Sequence, residues 1–399
     1  MEVGTALHST VVINESQIVD VLRRVDEPEL RRDIVSLDMV REVRIESTRS
    51  GTGVVVVVAA KVDDDPIGDE LADEIGAVVG AVPGVDGVRV TFAAMDDDER
   101  RLLKARLTEG WAAHENAGQQ GHGHAAGPEK APPFMQPGSK TRVLGISSGK
   151  GGVGKSSTTV NLAISLANRG LHVGVLDADV YGFSIPKMMG VEQAPTVIDG
   201  LVIPPVSYGV SAMSMGFLVE EDRAIIWRGP MLHKALEQFL TDVYWGEPDF
   251  LLIDMPPGTG DVALSMSQYL PRTEVFVVTT PQPAAQRVAQ RSASMARAQQ
   301  INLQVHGVIE NMSWFIGDDG KRYEIFGSGG GAELAAELGV PLVGQIPLVP
   351  ALREGMDVGL PIVVSQPDSE SSKIYAAIAE TICTDLGPKR RYKRELRIS

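Results

Sequence analysis

The chain has 399 residues, 43% hydrophobic and 5% aromatic, a composition that suits two or three α/β domains and excludes a fibrous or wholly disordered protein. A formal net charge of −15 argues against a surface that neutralises nucleic-acid phosphates along its length, and a single cysteine, Cys383, excludes an intrachain disulfide framework. The first residues lack a basic stretch followed by an apolar core, and the longest strongly apolar run, residues 54–60, is far short of the roughly 20 residues that span a bilayer, so a cytoplasmic location without a membrane span is expected.

In chain order, the apolar periodicity predicts a helix around 15–25, strands around 40–45 and 54–62, a helix around 67–82 and a strand around 88–94. Together they form a small α+β domain over residues 1–107. Asp26, Glu27 and Glu29 within it read either as solvated charges flanking a helix end or as an acidic edge facing a partner. Residues 108–140 are rich in Gly, Ala, Gln, His and Pro and read as a flexible linker; His122 and His124 lie in its glycine-rich part, where solvated polar chain is the better reading than a metal site. From 141 to 399, dense Val/Ile/Leu strands alternate with helical segments, the pattern of βαβ units and a mainly parallel sheet. Central strands are expected at 143–147, 173–176, 250–253, 275–279 and 305–309.

The first of these strands runs into Gly149-Lys150-Gly151-Gly152-Val153-Gly154-Lys155-Ser156, and a helix over 156–168 leaves it, the order that a GxxxxGK[ST] phosphate loop requires. Glycines let successive backbone N–H groups turn inward toward phosphate oxygens, and the positive end of the helix adds to that field. Lys155 is placed to reach the β- and γ-phosphates of ATP, and the Ser156 hydroxyl to hold Mg²⁺; Ser157 completes the run of nucleotide-contacting residues. Asp254, at the end of the 250–253 strand, is assigned to Mg²⁺, Asp179 to orienting the attacking water, and Asp177 to supporting the metal; each can equally cap a following helix or turn. The stretch Met255-Pro256-Pro257-Gly258-Thr259-Gly260-Asp261 suits a segment that senses the γ-phosphate through the Gly258 N–H.

The extra lysine in GKGGVGKS resembles the deviant Walker A loop of MinD/ParA-type dimeric ATPases, and DADVYGFSIP, WRGPM, DMPPGTGD and GVIENMS resemble the Mrp/ApbC subfamily of P-loop ATPases. The first hundred residues are similar to the MIP18-like domain through Asp26-Glu27-Pro28-Glu29-Leu30 and Asp33-Ile34-Val35-Ser36-Leu37. The resemblance implies a P-loop NTPase domain and an ATP-hydrolysing homodimer in which Lys150 reaches the partner's phosphates. It further implies that Asn311 reads adenine, that Gly344–Leu348 with Pro347 packs on the base, and that iron–sulfur clusters pass to apoprotein clients or assembly factors. The subfamily's Cys-x-x-Cys pair is absent: the corresponding stretch is Trp314-Phe315-Ile316-Gly317-Asp318-Asp319-Gly320, and carboxylates are poor substitutes for the soft thiolates that such clusters need. Cys383 falls in an expected amphipathic helix at 372–386 and reads as a buried, inert thiol, so no ligand set for a cluster is legible. The alternative is a positioning or scaffold ATPase without cargo, supported by the basic tail Lys389-Arg390-Arg391-Tyr392-Lys393-Arg394.

Overall fold

The computed structural model describes residues 13–48, 51–62, 67–109, 134, 139–179, 182–218, 229–256, 261–282, 289–290 and 303–385. The chain divides into two units, Met1–Ala112 with Thr196–Ile203, and Ala113–Pro195 with Pro204–Ser399.

The first unit contains β1 (Asp26–Glu27), β2 (Arg32–Asp33), β3 (Val40–Thr48), β4 (Gly51–Ala60) and β5 (Gly87–Ala94). β3 pairs antiparallel with the central β4, and β4 pairs parallel with β5 across the helix Gly68–Gly80. That helix buries Leu71, Ile75 and Val79, one residue per turn on a single face, and the helix Glu15–Leu22 buries Ile18 and Leu22. Each such side chain contributes about 1.5–3 kcal/mol by leaving water. A further helix, Asp97–Leu107, lies beyond the sequence reading: only Leu103 and Leu107 are buried on it, too thin a stripe to register as periodicity. Its start was nevertheless written in the chain, because Asp96 accepts from the Glu99 N–H while the Glu99 side chain accepts from the Asp96 N–H, a complete capping box.

The acidic trio departs from both readings offered above. Asp26 is exposed, but Glu27 and Glu29 are buried and their carboxylates both pair with the ammonium of Lys61, itself fully buried. Glu27 also accepts from the Leu30 N–H at 2.5 Å. A salt-bridged cluster at this depth is held because two carboxylates share one cation and a backbone donor, not because water solvates them.

The second unit is built on β6 (Arg142–Ser148) and β7 (Val173–Asp177); the hairpin of β8 (Thr196–Ile198) and β9 (Leu201–Ile203) that follows in the chain groups with the first unit. Then come β10 (Val206–Ser207), β11 (Val210–Ser214), β12 (Phe250–Asp254), β13 (Glu274–Thr279), β14 (Gln304–Glu310), a small hairpin of β15 (Phe315–Ile316) and β16 (Arg322–Tyr323), and β17 (Leu342–Gln345). The main sheet has the order β10-β11-β7-β12-β6-β13-β14-β17, parallel throughout except for β10 at one edge. All five expected central strands are in it. Helices cover both faces, and β13 shows why. Phe276 and Val278 point into a core shared with the helices Lys155–Ala167 and Glu370–Asp385, whereas Val275 and Val277 point into a second core with Leu334, Ala335 and Leu338 of the helix Gly330–Leu338. In register, Asp254 lies opposite Asp177 and Ile146, and Val278 opposite Ser148, so the strand ends that carry polar residues share one edge.

Candidate nucleotide site

β6 delivers the chain to the phosphate loop, and the loop's shape depends on two glycines. Gly152 and Gly154 have φ of 78° and 80°, the left-handed region that L side chains avoid. At Gly154 space is short as well, since an added Cβ would lie 2.1 Å from Asn311 Nδ2. Asn311 is therefore a strut under the loop: its Nδ2 donates to Val153 O at 2.9 Å and its Oδ1 accepts from the Met312 N–H at 2.9 Å. The Ser148 hydroxyl donates to Lys150 O at 3.1 Å from the other side. The helix then starts at Lys155 with its first N–H groups open toward the loop.

Asp254 is the hub. Its Oδ2 accepts from Lys155 Nζ at 2.5 Å and from Ser156 Oγ at 2.6 Å, and its Oδ1 accepts from Thr159 Oγ1 at 2.7 Å. Lys155, Ser156 and Asp254, assigned separately in the sequence, thus converge on one carboxylate that has no exposed surface. Thr159 was not foreseen, although it stands one turn after Lys155 on the same helix face, a spacing that was readable. Asp179 lies at the margin of the cluster, its Oδ2 3.9 Å from Lys155 Nζ and its Oδ1 accepting from the Gly182 N–H at 3.1 Å.

Asp177 behaves differently. Its Oδ1 accepts from the Asp179 N–H at 3.1 Å, and its Oδ2 from the N–H groups of Ser184 and Ile185 at 3.0 and 3.2 Å and from the Ser214 hydroxyl at 3.2 Å. Burial first, and then the Asp254 carboxylate, push its pKa up to about 7, against the pull of those backbone donors. Both oxygens are already engaged by protein, so Asp177 organises the turn bearing Asp179, the capping role left open above, and would support a metal from behind rather than ligate it.

The remaining expected residues fall around this cluster. Ser157 O accepts from Asn161 Nδ2 at 2.8 Å, on the first turn of the same helix. The segment bearing Pro347 runs alongside that bearing Asn311: Ile346 N donates to Glu310 O at 2.8 Å, Ser313 N to Ile346 O at 2.9 Å, and Leu348 N to Trp314 O at 2.7 Å. Lys150 Nζ donates to Gln282 Oε1 at 3.0 Å, a partner that no motif announced. Gly258, Val180, Tyr181, the Trp227-Arg228 start of WRGPM, the histidines at 122 and 124, and the basic tail at 389–394 lie outside the described residues.

The oxygen donors suit a hard cation: Ser156 Oγ and Asp254 are held within one hydrogen bond of each other beside a loop with two left-handed glycines. Thiolate chemistry has no such place. Among the described residues no three His, Cys, Asp or Glu side chains cluster with metal-binding geometry. Cys383 is half-buried in the helix Glu370–Asp385 against the core, and burial pushes its thiol pKa up despite the opposing pull of Arg169. Its reaction with an aromatic disulfide reagent is expected to be about tenfold slower in the native chain than in urea; equal rates would show an accessible, activated thiol.

A family model described as the NUBPL iron-transfer P-loop NTPase matches residues 139–383. The chain belongs to this family. A second model, described as an iron–sulfur cluster assembly protein, matches residues 15–92. The chain is 44% identical over 372 residues to an iron–sulfur cluster carrier protein of Mycobacterium leprae, covering 92% of each chain. It is 39% identical over 379 residues to a protein of the same name from a Synechocystis species, covering 93% of this chain and 97% of the relative. Among solved structures, a nucleotide-binding protein from Archaeoglobus fulgidus in complex with ADP matches with a TM-score of 0.51 and 34% identity, covering 59% of this chain and 93% of that one. The family is one of nucleotide-binding P-loop NTPases, and the matched span contains the loop at 149–156. No described helix is long and apolar enough to cross a membrane.

Proposed function

We propose that this protein is a Mg-ATP-hydrolysing homodimer that handles iron–sulfur clusters as cargo and works with cytoplasmic apoprotein clients or cluster-assembly partners. The observation that carries the reading is the convergence of Lys155, Ser156 and Thr159 on Asp254 beneath a left-handed glycine loop. When ATP enters, its phosphates compete with Asp254 for the Lys155 ammonium, which moves to the β- and γ-oxygens; Ser156 and Asp254 are the residues that would hold Mg²⁺. Bound there, the cation would neutralise charge on the phosphates. Asp179, on the turn that Asp177 fixes, accepts the hydrogen bond of the attacking water and aligns it. Lys150 supplies its charge to the partner protomer's phosphates, the asymmetric element that makes two chains better than one.

The single thiol sets how cargo is held. Soft thiolates are the ordinary ligands of such clusters, and a dimer offers only two, both half-buried. The cluster must therefore bring further thiols, from a client or a small thiol compound.

Two measurements test the halves separately. Asp179→Asn is expected to keep ATP affinity within about threefold while lowering kcat by roughly 10²–10⁴; undiminished turnover removes Asp179 from the chemistry. Anaerobic reconstitution of the full chain with iron and sulfide, with and without a dithiol, is expected to give stoichiometric bound iron only with the dithiol. Stoichiometric iron without it, lost in Cys383→Ser, would overturn the need for external ligands, and no iron in either case would leave an ATP-driven switch without cargo.

A further inference from the structure

Lys150 has a partner within its own chain. Among the described residues its ammonium has one hydrogen-bond partner, the side-chain carbonyl of Gln282 at 3.0 Å, and its own backbone carbonyl is pinned by Ser148. The two partners leave neighbouring strands side by side. β6 and β13 are parallel, Val278 stands opposite Ser148, and Lys150 and Gln282 follow two and four residues later.

The exit from β13 is well held. Thr279 O accepts from the Asn311 N–H at 2.8 Å, Thr280 and Pro281 are buried, and the proline fixes φ immediately before Gln282. Thr280 Oγ1 is buried without a hydrogen-bond partner, so the segment keeps its place by backbone pairing and packing rather than by that hydroxyl. A side chain on such a segment presents its carbonyl at a fixed point.

We propose that Gln282 is a positioning residue that parks Lys150 on the β13 exit until phosphates arrive. This deepens the nucleotide-site reading and rests on it. The physical basis is a competition for one ammonium. The bond to a neutral amide carbonyl is charge-assisted on the lysine side alone, whereas phosphate oxygens bring full negative charge of their own and hold the ammonium more strongly. Phosphate wins, but each trans engagement must first break the Lys150–Gln282 contact, so the contact lowers the dimer's apparent nucleotide affinity and ties the position of Lys150 to occupancy of the partner's loop. While the contact holds, the trans-acting charge is folded back and is not offered to a partner.

The test is a double-mutant cycle on the full chain at concentrations where it dimerises, read as the dimer's affinity for a fluorescent, non-hydrolysable ATP analogue with Mg²⁺. Gln282→Leu, which removes the acceptor, is expected to tighten binding about twofold to tenfold, the net worth of one hydrogen bond. Gln282→Glu, which turns the contact into an ion pair, is expected to weaken it by about tenfold. Both effects are expected to vanish when the same changes are made in a Lys150→Met chain. Effects of equal size in that background, or unchanged affinity in Gln282→Leu with Lys150 present, overturn the proposal. Lys155→Ala separates the two levels: if that variant binds the analogue normally, the site reading itself has failed; if it does not, while the Gln282 effects persist without Lys150, only the parking role has failed.

Discussion

Lys155→Ala is expected to weaken ATP binding by about 100-fold, measured by titration of a fluorescent analogue against the full chain. The ammonium has two successive employments, and the variant loses both. In the structure it neutralises Asp254, a fully buried carboxylate. In the filled site it makes charge-assisted bonds to phosphate, each worth about 1.5–3 kcal/mol, which is one to two powers of ten in affinity. The empty variant should also melt earlier than the parent, because Asp254 and Asp177 then lie side by side with only hydroxyls and backbone N–H groups to answer them. Affinity retained within about threefold would remove Lys155 from the phosphate site.

The largest stability effect is expected far from that loop. Lys61→Met leaves Glu27 and Glu29 buried together without their shared cation, and breaking a buried ion pair from one side costs about 3–5 kcal/mol. Thermal melts of the full chain should show one early transition from the amino-terminal unit, with nucleotide affinity unchanged. The triple variant Lys61→Met, Glu27→Gln, Glu29→Gln should recover much of the loss, since no charge is then stranded. An unaltered melting curve for Lys61→Met would show that water reaches the cluster after all.

How much of this was readable in the sequence differs from residue to residue. The strands of the parallel sheet announced themselves because burial on both faces demands unbroken Val, Ile and Leu, as in Phe250–Asp254. The loop was legible because phosphate binding constrains residue type and spacing together. β11 was missed: its Val210–Ser214 run mixes Ser, Ala and Met and carries little β-branching, so its place beside β7 comes from tertiary packing rather than local preference. Lys61 and Gln282 were illegible for another reason. Their partners are remote in the chain, 34 residues from Lys61 to Glu27 and 132 from Lys150 to Gln282, and only the assembled sheets bring them together. Asn311 was read as a base-contacting residue by resemblance; what the fold shows is an amide that braces Val153 beneath the loop.

The lone, half-buried Cys383 also bears on life in the presence of oxidants. Cysteines are oxidised by condensing with a neighbouring thiol or stepwise as an exposed thiolate; a single chain has no second cysteine for the first route, and burial raises the thiol pKa against the second. Cysteine oxidation within a single chain therefore has one half-buried target, in the helix Glu370–Asp385 and outside the phosphate-loop segment.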